Sequence, residues 1–167
     1  MDPLFTKQSG LIILSPFLGT LFQKCGLTEE GHFRNKESKA RAVQLLDYAA
    51  TGNNNSQEYE LVIPKVLCGI PMSEPIDISF QLNEDDKQLV DDLLMAVTQQ
   101  WHGMENTSIN ALRESFLQRD GKLEELEVNF YLKVEQRSYD MLLDRIPWNI
   151  NTIKLSWIEK LIRIEWR

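Results

Sequence analysis

The stretch "LEVNFYLKVE" (126–135) decides the fold. Before it, apolar residues recur at helical spacing. Within it they alternate, as Leu126, Val128, Phe130, Leu132 and Val134, and the composition turns to residues that suit a pleated surface. Downstream, "INTIKLSW" and "KLIRIEW" alternate again and predict two strands of a hairpin, and "SYDMLLDRI" (138–146) predicts a short helix between these strand regions. Upstream the predictions are helical. "SPFLGTLFQKCGL" opens with Ser15 as N-cap and Pro16 in the first turn, and stops at Gly26. "KESKARAVQLLDYAATG" places Ala42, Leu45, Leu46 and Ala49 on one side and stops at Gly52. "EYELVIPKVLCGIP" predicts a short helix shaped by Pro64 and ended by Gly69.

The clearest helix runs over about 84–102, capped by Asn83, with acids at its positive end and Val90, Leu93, Leu94, Val97 and Trp101 inward. Another starts at Ser108 and ends before a turn at "RDGK" (119–122). Two further stretches carry no helical period. "NNNSQ" (53–57) is a polar loop suited to mobility, and "MSEPIDISF" (72–80) alternates Ile76, Ile78 and Phe80 as an extended piece. The expected fold class is therefore α+β, a single domain over 1–167: a helix-rich N-terminal two thirds with a small C-terminal antiparallel sheet.

Length and composition agree with a globular chain. It has 167 residues, 43% hydrophobic and 26% charged, enough to bury a core without staples. The formal charge of −7 argues against a general nucleic-acid or anionic-membrane binder, because phosphate contacts need cations. No apolar run approaches a membrane span or a signal-peptide core, so the expectation is a chain made in the cytoplasm without an export signal. Two cysteines, Cys25 and Cys68, read as free thiols in a reducing compartment.

Chemistry is thin. Of the two histidines, His32 lies in an expected loop and His102 at a helix end, where the plainer reading is a solvated or capping residue, and a thiol–imidazole pair of His102 with Cys25 or Cys68, or a hydrolase built on Cys68 or His102, lacks local support. No clustered Cys or His suggests zinc, "NEDD" (83–86) lacks the spacing of a calcium loop, and no phosphate-loop or nucleophile-elbow motif occurs. Glu135, Asp140 and Asp144 form a candidate acid group whose plainer reading is ion pairing with Lys133, Arg137 and Arg145. No catalytic, cofactor or metal residue is therefore assigned. Five residues stand out instead as protein-interface candidates. Trp148, Trp157 and Trp166 are nine residues apart, a spacing that puts them on opposite faces of any single helix or strand. They can share a face only if the chain turns between them, each ring covering a core edge with its N–H on a partner. Arg113 and Arg119 interleave with an apolar helix face; their plainer reading is pairing with Glu114 or the acids at 124–127.

Taken in order, "GLIILSPFLGTLFQKCGL", "KARAVQLLDYAATG", "EYELVIPKVLCGIP", "LLMAVTQQWHGMENTSINALRESFLQRDGKL", "LKVEQRSYDMLLDRIPWNINTIKLSWI" and "IEW" cover about 10–166. This ordered set resembles the C-terminal region of the contractile injection system tape measure protein family, bacterial proteins of phage-tail-like particles. Pro64 and Ser156 depart from the family pattern, which has asparagine and proline there. Family members are commonly longer, so the resemblance implies either an excised domain or a short stand-alone member. It implies a non-enzymatic assembly role, with spike, baseplate or tube proteins as partners and a symmetric homo-oligomer as an option. It also implies residence in the bacterial cytoplasm during assembly and in the particle afterwards. The alternative is a cytoplasmic assembly chaperone or adaptor that stays out of the particle.

Overall fold

A computed structural model describes residues 2–79 and 81–167. The chain begins with strand β1 (Leu4–Thr6), then a 3₁₀ turn (Ser9–Leu14) that runs directly into helix α1 (Ser15–Lys24). A two-residue ribbon, β2 (Thr28–Glu29) and β3 (His32–Phe33), leads to α2 (Lys36–Thr51). Helices α3 (Val62–Leu67), α4 (Glu84–Gln100) and α5 (Ile109–Leu112) follow, and α5 widens into a π-helical turn, Arg113–Leu117. Strands β4 (Gly121–Glu125) and β5 (Asn129–Val134), a 3₁₀ helix (Asp140–Arg145), β6 (Thr152–Ile153) and β7 (Leu161–Glu165) complete it.

The sheet corrects the expected fold class. It is neither small, nor confined to the C-terminus, nor purely antiparallel. It has five strands in the order β1-β4-β5-β7-β6, and β5 pairs parallel with β7 while the other pairs are antiparallel. Three local features produce the difference. β1 brings the N-terminal residues Leu4–Thr6 to the sheet edge, and three residues are too few to show alternation. β4 occupies residues that begin with the glycine of "RDGK", so that turn is where a strand begins. Residues 135–160 are long enough for the crossover that a parallel pair requires, and alternation carries no information on direction. The segment 71–79 takes no regular structure, and Phe80 lies outside the described residues.

The helices follow their signals. Asn35, Asn83 and Ser108 accept hydrogen bonds from the backbone N–H groups of Ser38, Asp86 and Ala111, at 2.8, 2.7 and 3.0 Å. Ser15 is the exception. The 3₁₀ turn feeds α1 without a break, so Leu14 holds the cap position and no side chain caps that end. Gly52 closes α2 with φ 80°. Pro64 sits in the first turn of α3, where its missing N–H costs nothing.

The core centres on the 3₁₀ turn. Leu11, Ile12, Ile13 and Leu14 are at most 1% exposed, which stabilises the fold by about 1.5–3 kcal/mol for each such side chain. This turn meets the inner sheet face, with Leu123 and Leu132 buried there, and packs against α1, α2, α3 and the π turn. Gly10 makes the approach to the π turn possible, because a Cβ there would overlap the Phe116 carbonyl. The polar loop 53–57 is tied to α2: Asn54 donates to the Gln44 carbonyl at 2.8 Å, and Ser56 to Asp47 at 2.6 Å.

Candidate functional site

The interface candidates are distributed through the molecule, and their partners show what each does. Arg119 is fully buried. Its Nη1 and Nη2 donate to both Asp140 oxygens at 2.8 and 2.9 Å, and also to the carbonyls of Glu135 and Ser115 at 2.9 and 2.7 Å. The guanidinium lies over the rings of Trp166, Phe116 and Tyr139 at 5.1, 5.5 and 5.6 Å. Trp166, 1% exposed, donates its indole N–H to Asp140 at 3.2 Å, and the Arg137 N–H donates to the same oxygen at 2.9 Å. Burial pushes the Asp140 carboxyl up, but the hydrogen bonds and charge of Arg119, with the Arg137 N–H and Trp166, outweigh it and hold the carboxyl below its ordinary value. This node ties the π turn, the Asp140–Arg145 helix and the chain's last residues together.

Arg113 performs a second internal task. A helix leaves its last carbonyls without partners. Arg113 supplies them for α2, donating to the Ala49 and Tyr48 carbonyls at 3.0 and 3.3 Å, and Gln118 donates to Ala50 at 2.8 Å. Asp91 stands 3.6 Å from the guanidinium, which also covers the Tyr48 ring at 5.2 Å. The arginines therefore face inward, and their partners are α2 carbonyls and Asp140 rather than Glu114 or the acids at 124–127. Of the other candidate acids, Asp144 pairs with Arg167 at 3.2 Å, and Lys133, expected to pair within that group, approaches Glu165 at 3.9 Å.

Each tryptophan N–H reaches a distant carbonyl or carboxylate. Trp148 donates to Ile13 at 2.9 Å and meets Phe17 edge-on. Trp157 donates to Leu67 at 2.7 Å and forms an aromatic cluster with Phe22 and Phe33. Trp101, which was not among the candidates, is fully buried, donates to Leu142 at 2.8 Å and packs on Phe116. Trp148 and Trp157 are half-buried, and Trp157 forms one wall of a groove of about 390 Å³ with Val66, Ile70, Met72, Phe130 and Ile158. Lys39, Glu159 and the Lys160–Glu125 pair, 3.0 Å apart, rim that groove. Ser156, one of the two departures from the family pattern, donates its hydroxyl to the Gly31 carbonyl at 2.6 Å beside this cluster, a bond proline could not make.

The two most exposed large apolar residues among those described were not interface candidates. Phe5 and Val128 are 81% and 76% exposed, one on edge strand β1 and the other in the β4–β5 turn. Neither stands in a pattern that distinguishes it from a core residue. Cysteine chemistry finds no support in the geometry. Cys68 is fully buried and burial pushes its thiol up, while burial and neighbouring Asp86 push the Cys25 thiol to about 12. His102 is exposed, 3.5 Å from Glu105 and paired with neither thiol. Among the described residues no group of three or more His, Cys, Asp or Glu could hold a metal, and no helix is long and apolar enough to cross a membrane.

The family comparison covers the same span as this internal framework. A family model described as contractile injection system tape measure protein matches residues 1–166. No curated protein and no solved structure matches the chain. With the whole span from β1 to Trp166 inside the match, the chain belongs to the contractile injection system tape measure protein family.

Proposed function

We propose that residues 1–167 form one domain, a non-enzymatic terminal module that docks a tape measure to the spike, baseplate or tube of the particle. The family match over 1–166 carries this reading. Dimensions support a docking module over a ruler. The longest helix, α4, has 17 residues and at 1.5 Å per residue spans about 26 Å, far short of a tail tube. The Trp157 groove is the proposed docking surface. It joins apolar walls to a charged rim, and its tryptophan is already held by the Leu67 carbonyl, so little ordering is needed on binding. Lys39 and Glu159 would orient the partner.

Peptide mass spectrometry on particles purified from the native host, with the soluble fraction beside them, tests the role. Peptides of this chain in fixed ratio to tube protein are expected. Their confinement to the soluble fraction would instead make the chain an assembly chaperone that never enters the particle.

A further inference from the structure

We propose that residues 71–79 form a strap latched by one buried lysine, and that local release of this strap widens the Trp157 groove. The sequence explains why the segment joins no sheet. Pro71 and Pro75 have no N–H to donate to a ladder, and their rings fix φ, so the strap is stiff but unpaired. At its root Gly69 has φ 73°, and a Cβ there would stand 3.0 Å from the Trp157 carbonyl, so strap and groove meet at that residue. The attachment of the strap converges on one point. Lys65 is 4% exposed on α3, whose Val62, Val66 and Leu67 are also buried. Its three N–H donors are all used, on the Met72 and Glu74 carbonyls at 3.2 and 2.5 Å and on the Glu58 carboxylate at 3.3 Å. The same Glu58 oxygen accepts the Ile76 N–H at 3.2 Å. Among the described residues every other hydrogen bond of the strap is internal, and the Lys36–Glu74 pair, at 3.6 Å, is exposed and weak.

A buried ammonium is costly unless every donor finds an acceptor, so the lysine and the strap hold each other in place. The strap walls two hollows. Met72 and Ser73 line the Trp157 groove, and Glu74 to Asp77 line a hollow of about 340 Å³ against the start of α2. Lys39 and Ile70 border both, so the two adjoin. Release of the strap takes a wall from each and joins them into one trough. Opening surrenders one cluster of hydrogen bonds and two half-buried side chains, Met72 and Ile76, whereas opening α4 surrenders fully buried residues such as Val90 and Leu94. The strap is therefore a unit that opens below the cost of the whole fold. Its bearing on docking rests on the groove reading above; the latch itself does not.

Native-state hydrogen exchange of the full chain, from water to about 1 M urea, tests the latch. The Ile76 amide is expected to exchange at least about 100-fold faster than the Val90 and Leu94 amides of α4, and its rate to ignore urea while theirs rise, because local opening exposes little surface. K65M removes the ammonium and raises the Ile76 rate about ten-fold or more. E58Q, on a partly exposed residue, keeps an acceptor but loses the charge; it raises the rate less and tests the latch without altering the buried lysine. Alkylation of V66C by iodoacetamide, mapped by peptide mass, reads the groove. Val66 lines it and is only 4% exposed, and the rate at that position is expected to rise with K65M in step with the strap. A urea slope for Ile76 equal to that of α4, an Ile76 rate unchanged in either variant, or a thiol rate that ignores K65M each overturns the proposal. All are read on the purified chain, so their failure is distinct from a failure of the particle measurement that tests docking.

Discussion

At the residue scale, Arg119 and Asp140 behave as one buried unit, because each is the other's ion-pair partner through two hydrogen bonds at 2.8 and 2.9 Å. Arg119→Met leaves the carboxylate buried and unpaired, an expected loss of about 3–5 kcal/mol in urea unfolding. The R119M/D140L double variant removes both charges and is expected to recover much of that loss. Asp140 also sets an acid limb. Its folded pKa is depressed, so its contribution is fully present above the ordinary carboxylate value, about 3.9, and drains away as pH falls through the lower folded value. Wild type should therefore lose more stability between pH 5 and the acid range than the double variant, and parallel curves would place the linkage elsewhere. Trp157→Phe keeps the ring in its cluster but strands the Leu67 carbonyl, at an expected cost of about 1–3 kcal/mol in the same assay.

At the element scale, helix starts were legible because a cap is a local signal. Asn83 and Ser108 lie at the boundaries expected of them, while Asn35, which the sequence reading did not name, caps α2 by the same chemistry. The α1 start was misread because a cap residue is needed only where the chain enters a helix from outside, and here a 3₁₀ turn already supplies the geometry. The α2 end was half legible. Gly52 announced the stop, but no local pattern shows that Arg113, 64 residues from Ala49, supplies its carbonyl partner. Gly52→Ala tests both parts together. The backbone there has φ 80°, and the added Cβ would stand 3.0 Å from the Arg113 guanidinium. The expected loss exceeds the roughly 1 kcal/mol of a simple left-handed alanine. Combining it with Arg113→Ala should show coupling in a double-mutant cycle, and strictly additive losses would mean that glycine and arginine act independently.

At the scale of the whole molecule, the sequence shows where strands lie better than how they pair. Alternation in 126–135 marked β5, yet the same alternation in Leu161–Glu165 is compatible with either direction, and the partner strand is fixed only by tertiary packing. The site was legible to a similar degree. Trp148, Trp157 and Trp166 were visible as residues needing both burial and a hydrogen-bond partner, but which of them would border a groove depends on the crossover that carries Trp157 to α3. The pairing makes a prediction that an antiparallel C-terminal hairpin does not. β5 is sandwiched, with five paired positions to β4 and five to β7, whereas β6 and β1 are edges with two and three. Opening β5 must break both ladders and expose Leu132 and Val134, so its amides can exchange only through a near-global opening, while edge strands open locally. Native-state hydrogen exchange followed by residue should therefore rank β5 slowest, β7 and β4 next, and β6 and β1 fastest. If β6 and β7 exchanged together and more slowly than β5, the C-terminal residues would be acting as a separate hairpin, and the mixed sheet would not be the cooperative unit of this fold.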